Sequence, residues 1–357
     1  MSEAERRSIL LIEKSFLKPP PDPLRGGELF TMALARDLAR TMRPLLVPAH
    51  VAWRSEFSFR GFGGCAVFSR TPLRGLWSTP VWLRAIGDRR FATLILGNVA
   101  NGLIPLLTWL HLRRTAERLV LIAHRTPSGR FLRSLRRWQV RIVAVNSEIA
   151  RQFCDHGFRD VSIDYGVADW QRFRPASFRE GQPVRFIVLG ALDQPWKGAA
   201  EAVQAFCRLS PRARERAELH LAGYLQPPSF EIPGLFVHRW MRENEIPDFL
   251  REMDVIVCPS RDEGVMRETF SQAMVQGMLS GLPVLARDLP VYREKLEQGG
   301  GFLFADVNQL SALMELMIFN PDSRRREGNR ARAIALERYC WDTDRFLASH
   351  IDVSGGS

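Results

Sequence analysis

The stretch from Val255 to Arg287, VIVCPSRDEGVMRETFSQAMVQGMLSGLPVLAR, allows few folds. It opens with the apolar β-type run Val255-Ile256-Val257-Cys258, which Pro259-Ser260 ends. A polar loop leads into a helix expected from about Ser271 to Leu279, whose Met274, Val275 and Met278 recur at helical spacing. Gly281 stops that helix, Pro283 follows, and Val284-Leu285-Ala286 reads as the next strand. The result is a strand–loop–helix–strand unit with a carboxylate, Glu268, where the loop meets the helix. A helix start offers unpaired N–H groups and a positive dipole end, which suits a diphosphate. Read alone, Glu268 also fits a helix-capping carboxylate, and Gln276 a solvated helix residue.

The same alternation runs through the second half: Val184–Leu189, Ala199–Leu209, Glu218–Ala222, Glu245–Met253 and Val255–Cys258 precede it. Strands alternating with helices imply a parallel sheet covered on both faces. The first half reads similarly. Strand candidates are Ser8–Ile12, Leu45–Val47, Ala92–Leu96, Leu119–Ala123, Arg141–Val145 and Val161–Val167, with a helix from about Glu28 to Arg40. Gly26-Gly27 stands at the turn before that helix and lets backbone approach a ligand closely. His124 ends a strand, where open α/β sheets hold ligands, although a strand-end His bonded to backbone fits as well. Ser147 or Asn146 caps the next helix. At 357 residues the chain fits two domains of about 150–200 residues. The polar stretch 176–183 separates residues 1–175 from 176–339.

These segments together resemble the retaining family-4 glycosyltransferases of the GT-B fold, in which two Rossmann-like domains with parallel sheets face each other across a cleft. In that family a Glu, seven residues and a second Glu precede a Gly-x-Pro-Val strand. Counting back from Gly281-Leu282-Pro283-Val284 selects Glu268 and Gln276; starting from Glu263 puts the glycine out of step. The resemblance implies that Glu268 and His124 are the catalytic pair, both near the donor sugar. It implies donor binding by Lys197, Gly198, Thr269, Phe270, Ser271, Gly26 and Gly27, and by Gln276 at the ribose. It also implies that a C-terminal helix, about 340–357, packs back on the first domain. Two departures stand out. Ala191 occupies the position of the family's phosphate-binding Arg, for which Arg261 or Arg267 could substitute, and Gln276 replaces a charged Glu.

The expected reaction moves a sugar from a nucleotide-sugar to a glycan or lipid-linked acceptor, without metal or cofactor, in cell-envelope or exopolysaccharide synthesis. A catalytically inactive relative that binds a nucleotide-sugar or a partner subunit is the alternative, motivated by Ala191 and Gln276. An epimerase would need acid–base groups that the sequence does not identify. Residues 1–175 hold 28 Lys and Arg against 14 Asp and Glu, the remainder 22 against 25. From Arg113 to Arg141 there are nine Arg and one acid, Glu117, interleaved with Phe131, Leu132 and Leu135. This basic amphipathic segment suits an anionic membrane surface, although a solvated helix face fits a charge run as well; no nucleic-acid-binding signature accompanies it. Five unpaired-looking cysteines fit a reducing cytoplasm. The apolar stretch Phe91–Leu112 is broken by Gly97-Asn98 and Asn101-Gly102, which favours a strand, turn and helix over a membrane span.

Overall fold

The computed structural model describes residues 9–13, 26–41, 45–48, 66–67, 86, 88, 90–97, 104–125, 127–175, 183–229, 231–264 and 266–351. The proline-rich loop at 18–23, the turn expected at 98–102 and the linker expected at 176–182 lie outside these residues. The chain forms two compact units, Met1–Tyr165 with Asp342–Ser357, and Gly166–Trp341.

The first unit is built on a parallel sheet. Its strands are β1 (Ile9–Glu13), β2 (Leu45–Pro48), β3 (Ala66–Val67), β4 (Phe91–Leu96), β5 (Ala116–Ala123), β6 (Gln139–Ala144) and β7 (Val161–Ile163), in the order β3-β2-β1-β4-β5-β6-β7. Leu94, Ile95 and Leu96 of β4 and Leu119 to Ala123 of β5 are buried on both faces. Helices covering both sides of a parallel sheet require such continuous apolar runs. The described helices here are α1 (Gly26–Thr41), α2 (Ile104–Leu112), α3 (Gly129–Leu135) and α4 (Ser147–Asp155). Gly26 and Gly27 open α1 itself rather than the turn before it. Glycine adds nothing to an apolar periodicity, so the pattern placed the helix start too late. Asn146, not Ser147, caps α4: its Oδ1 accepts from the Ile149 N–H at 2.8 Å.

The second unit holds β8 (Val184–Leu189), β9 (Ala217–Tyr224), β10 (Leu235–Arg239), β11 (Val255–Cys258), β12 (Val284–Arg287) and β13 (Gly301–Phe304), all parallel, in the order β10-β9-β8-β11-β12-β13. Numbered within the unit, this is the 3-2-1-4-5-6 order of dinucleotide-binding sheets. Its helices are α5 (Ala199–Cys207), α6 (Pro211–Arg214), α7 (Ile246–Arg251), α8 (Gln272–Leu279), α9 (Pro290–Leu296), α10 (Val307–Phe319) and α11 (Pro321–Arg338). Phe186, Val188, Phe206, Leu219, Leu221, Val257, Leu285, Phe304 and Met314 fill one face of the sheet. On α8, a Cβ added at Gly277 would stand 2.7 Å from Ile256 Cδ1 of β11, so only glycine permits this approach of helix to strand. The sheet order reverses between β8 and β11, and ligands of open α/β sheets lie at the carboxyl ends of strands flanking such a reversal.

The division falls at Tyr165/Gly166, ten residues before the boundary expected from the polar stretch. Backbone pairing accounts for the shift. The Val167 N–H donates to Tyr339 O at 2.8 Å and the Trp341 N–H to Val167 O at 3.1 Å, which ties 166–175 to the second unit. The last helix, α12 (Thr343–His350), belongs to the first unit. Its His350 Nε2 lies 3.0 Å from Asp164 Oδ2, Arg345 donates to Asp164 Oδ1 at 2.9 Å, and Thr343 donates to Asp37 at 2.8 Å.

Candidate functional site

Two loops leave the sheet reversal of the second unit, one after β8 and one after β11. The first turns back at Gly190, where the Leu192 N–H donates to Gly190 O at 2.9 Å. It then tightens into a single 3₁₀ turn at Pro195–Lys197 and ends on Gly198 in the left-handed region, φ 74°. Lys197 Nζ lies 4.3 Å from the centre of the Trp196 ring and pairs directly with Glu268 Oε1. The second loop carries Ser260, whose hydroxyl donates to the same Glu268 oxygen at 3.1 Å. The Lys197 and Glu268 side chains are 19% and 10% exposed, so both ions have lost most of their water. Such a pair costs much of its attraction in desolvation. It is poor evidence of stabilisation and good evidence of a site prepared for charge. Glu263, the other register, is exposed and pairs with Arg261 at 2.8 Å instead.

Arg261 crosses the same turn. Its backbone N–H donates to Trp196 O at 2.7 Å, and its guanidinium reaches Pro195 O at 3.3 Å and Glu201 at 3.0 Å. A guanidinium therefore does stand on the turn that has Ala191 in place of Arg, held by two carboxylates.

Thr269, Phe270 and Ser271 follow Glu268 into α8. Ser271 was expected as the first helical residue; the helix begins at Gln272, and Ser271 sits before it in the left-handed region, φ 63°, ψ 76°. A non-glycine residue held there costs about 1–3 kcal/mol. Its hydroxyl makes no capping bond to α8, so the strain is not offset by a helix cap. Gln276 lies on α8, half-buried, and its backbone carbonyl accepts from the Ser280 hydroxyl at 2.9 Å. Behind the loop lie Tyr292 and Lys295 of α9, both fully buried, and Cys258 at the end of β11. Burial, then the charge of Glu268, pushes the Tyr292 hydroxyl well above its ordinary range. Burial likewise pushes the Cys258 thiol far up, so it stays protonated. Ser260, Trp196, Tyr292 and Lys295 were not singled out from sequence. A serine ending an apolar strand beside a carboxylate loop would have pointed to the first of them.

His124, Gly26 and Gly27 belong to the first unit. His124 follows β5, and its ring meets Tyr165 edge-on at 5.2 Å. Tyr165 in turn packs on Phe30 of α1 at 4.2 Å. On the same unit Arg113, Arg114, Arg130, Arg133, Arg136 and Arg137 are exposed, and so is Leu112, at 75%. Among the described residues no helix is long and apolar enough to cross a membrane.

Residues 183–319 match the family model described as Glycosyl transferases group 1. Over 91% of its length the chain is 24% identical to MMP alpha-(1->4)-mannosyltransferase of Mycolicibacterium hassiacum, covering 86% of that protein. Among solved structures it resembles HepE of Anabaena in complex with UDP and glucose, at TM-score 0.69 and 17% identity, over 96% of this chain and 97% of that one. It also resembles sucrose-phosphate synthase of Thermosynechococcus elongatus, at TM-score 0.73 and 13% identity, over 97% and 98%. Two parallel sheets, the strand order of each and these likenesses agree: the chain has the GT-B fold, and its residues 183–319 match the group 1 glycosyltransferases.

Proposed function

We propose that this chain transfers a hexosyl group from a nucleoside-diphosphate sugar to a glycan or lipid-linked acceptor of the cell envelope or an exopolysaccharide, retaining the anomeric configuration. The observation that carries this reading is the Lys197–Glu268 pair at the sheet reversal of the second unit. The UDP and glucose bound in HepE support it. The largest demand on such a transfer is the charge that builds on the departing diphosphate, and a preoriented cation and N–H groups meet it without reorganising. Lys197 supplies the cation; Gly198, Thr269, Phe270 and Ser271 supply backbone N–H groups. Glu268 accepts hydrogen bonds from the sugar hydroxyls, and Gln276 bonds the ribose. His124 serves the sugar, and Gly26 and Gly27 the phosphates, as the first unit's contribution. The reaction needs no metal ion under this reading, because Lys197 and the N–H groups carry the leaving-group charge.

A thermal-shift and hydrolysis series with UDP-, GDP- and ADP-sugars, with and without EDTA, tests it. One donor is expected to raise Tm and to be hydrolysed slowly, unchanged by the chelator. Stabilisation with no turnover in a broad acceptor mixture would favour the inactive-relative reading. No response to any nucleotide-sugar would remove the function altogether.

We further propose that the protein works in the cytoplasm, at an anionic inner membrane face. The arginines of α3 and of the turn after α2, with exposed Leu112, support this. Each basic side chain near an anionic surface contributes about 1 kcal/mol, screened within a Debye length. Flotation is expected with phosphatidylglycerol vesicles but not phosphatidylcholine vesicles, declining as NaCl rises. Failure to float at low salt would rule the contact out.

A further inference from the structure

Helix α9 carries a lysine on its apolar face. Val291, Tyr292 and Leu296 are buried, and Lys295 is buried with them at 1% exposure. Its ammonium stands 4.5 Å from the centre of the Phe270 ring and 5.0 Å from that of Tyr339. Among the described residues it has no hydrogen bond and no ion pair. Two ring faces return only part of the hydration that a buried ammonium gives up. Methionine would fill the same space without that cost, so the charge itself must act on something nearby.

The groups facing Lys295 narrow the choice. They are Glu294 on its own helix, Glu268 and Phe270 from the loop after β11, Cys258 of β11, and Arg338 with Tyr339 at the end of α11. Burial pulls Lys295 down to about 8, while Glu294 and then Glu268 draw it back up and Arg338 opposes them. Cys258 is protonated, and burial pushes Tyr339 up to about 12, so neither is an anion at neutral pH. Glu294 is only half-buried. Glu268, also half-buried as a residue, has a side chain only 10% exposed and stands two residues before Phe270 in the same loop.

Glu268 already has one cation, Lys197. The donor reading, on which this inference rests, asks Lys197 to meet a diphosphate as well. A diphosphate carries more negative charge than a carboxylate and draws the ammonium away. Glu268 is then left nearly buried, with Ser260 as its remaining hydrogen-bond donor among the described residues. We propose that Lys295 is the standing counter-charge of Glu268, holding that carboxylate as an anion while Lys197 passes to the diphosphate of the donor. Lys295 is thus a positioning residue: it touches no substrate and acts through Glu268. An anionic Glu268 can accept sugar hydroxyls on both oxygens; a protonated one gives up part of that capacity.

Lys295→Met, measured with the sugar donor that wild type turns over, tests this. It is expected to lower kcat/KM about tenfold at pH 7 and to move the acid limb of the pH profile upward. The donor-free Tm is expected to rise by a few degrees, since without donor Lys197 still pairs with Glu268 and only the desolvated ammonium of Lys295 has gone. Lys295→Arg should retain the wild-type acid limb. In a Glu268→Gln background, Lys295→Met should change kcat/KM by less than about twofold, because the carboxylate it serves is absent. Equal losses in both backgrounds, or an unmoved acid limb, would overturn the proposal. So would a fall in Tm, which would make the ammonium a structural element. Wild type that turns over no nucleotide-sugar sinks the donor reading and this inference together; wild-type turnover with Lys295→Met unchanged sinks this one alone.

Discussion

Glu268→Gln is expected to lower kcat/KM about 100-fold, with the loss mostly in kcat and with donor binding weakened less. The side chain keeps its shape but loses its charge, and three consequences follow. The donor sugar loses a charged acceptor, and hydrogen bonds to charged groups contribute about 1.5–3 kcal/mol each, against about 1.4 kcal/mol per tenfold. Lys197 loses its partner while remaining 19% exposed, so an ammonium is left without compensation near the protein interior. Ser260 keeps an oxygen to donate to, because an amide still offers one. The second consequence predicts a lower Tm in the free protein. It also predicts that added UDP-, GDP- or ADP-sugar recovers part of that loss, since the diphosphate supplies a new anion for Lys197. Lys197→Ala serves as the control. If Glu268 and Lys197 act as one unit, the double variant is no worse than the poorer single one. Additive losses would separate the two residues and remove the pair from the mechanism. A Glu268→Gln enzyme with kcat within threefold of wild type would show that the carboxylate does no chemistry.

The strongest apolar patterns in the sequence were the ones that fixed the architecture. Runs such as Val255–Cys258 and Leu119–Ala123 are legible because a parallel sheet buries both faces, so no polar residue interrupts them. β10 was not legible: Leu235–Arg239 is a short run that ends in His238-Arg239 and buries only Leu235, because it is the sheet edge. Glu268 and Lys197 stand 71 positions apart and were found through a resemblance; no periodicity could have joined them. The left-handed Ser271 was read as an ordinary helix start, since serine is common there and sequence carries no sign of φ. Lys295 was hidden for the opposite reason. A lysine among helix residues reads as solvated unless the face it occupies is known, and the neighbours that bury it come from α8's loop and α11. The unit boundary escaped because it depends on Val167 pairing with Tyr339 and Trp341, far away in the chain.

Gly198→Ala is expected to be strongly destabilising. The residue closes the turn that carries Lys197 at φ 74°, ψ 21°, where a Cβ costs about 1–2 kcal/mol. Space is the larger problem. An added Cβ would lie 2.2 Å from Pro259 O and 2.7 Å from Pro259 C, and both are backbone at the end of β11. Neither can swing aside as a side chain would, so the strand end must move, at about 1–3 kcal/mol more. A total of about 2–5 kcal/mol follows from these two terms together. Gly264 provides the comparison, because it has the same φ of 74° but a Cβ there would meet nothing within 4 Å. Gly264→Ala should therefore cost only the backbone term, about 1–2 kcal/mol. Urea unfolding of the two variants at constant m-value measures the difference directly. The displacement also has a direction: Pro259 precedes Ser260, which donates to Glu268, so Gly198→Ala should disturb the Lys197–Glu268 pair as well. Donor-induced thermal shift should then fall in Gly198→Ala and survive in Gly264→Ala. Equal unfolding free energies for the two would mean that the loop after β8 gives way to a methyl group, and that Gly198 is present for conformation alone.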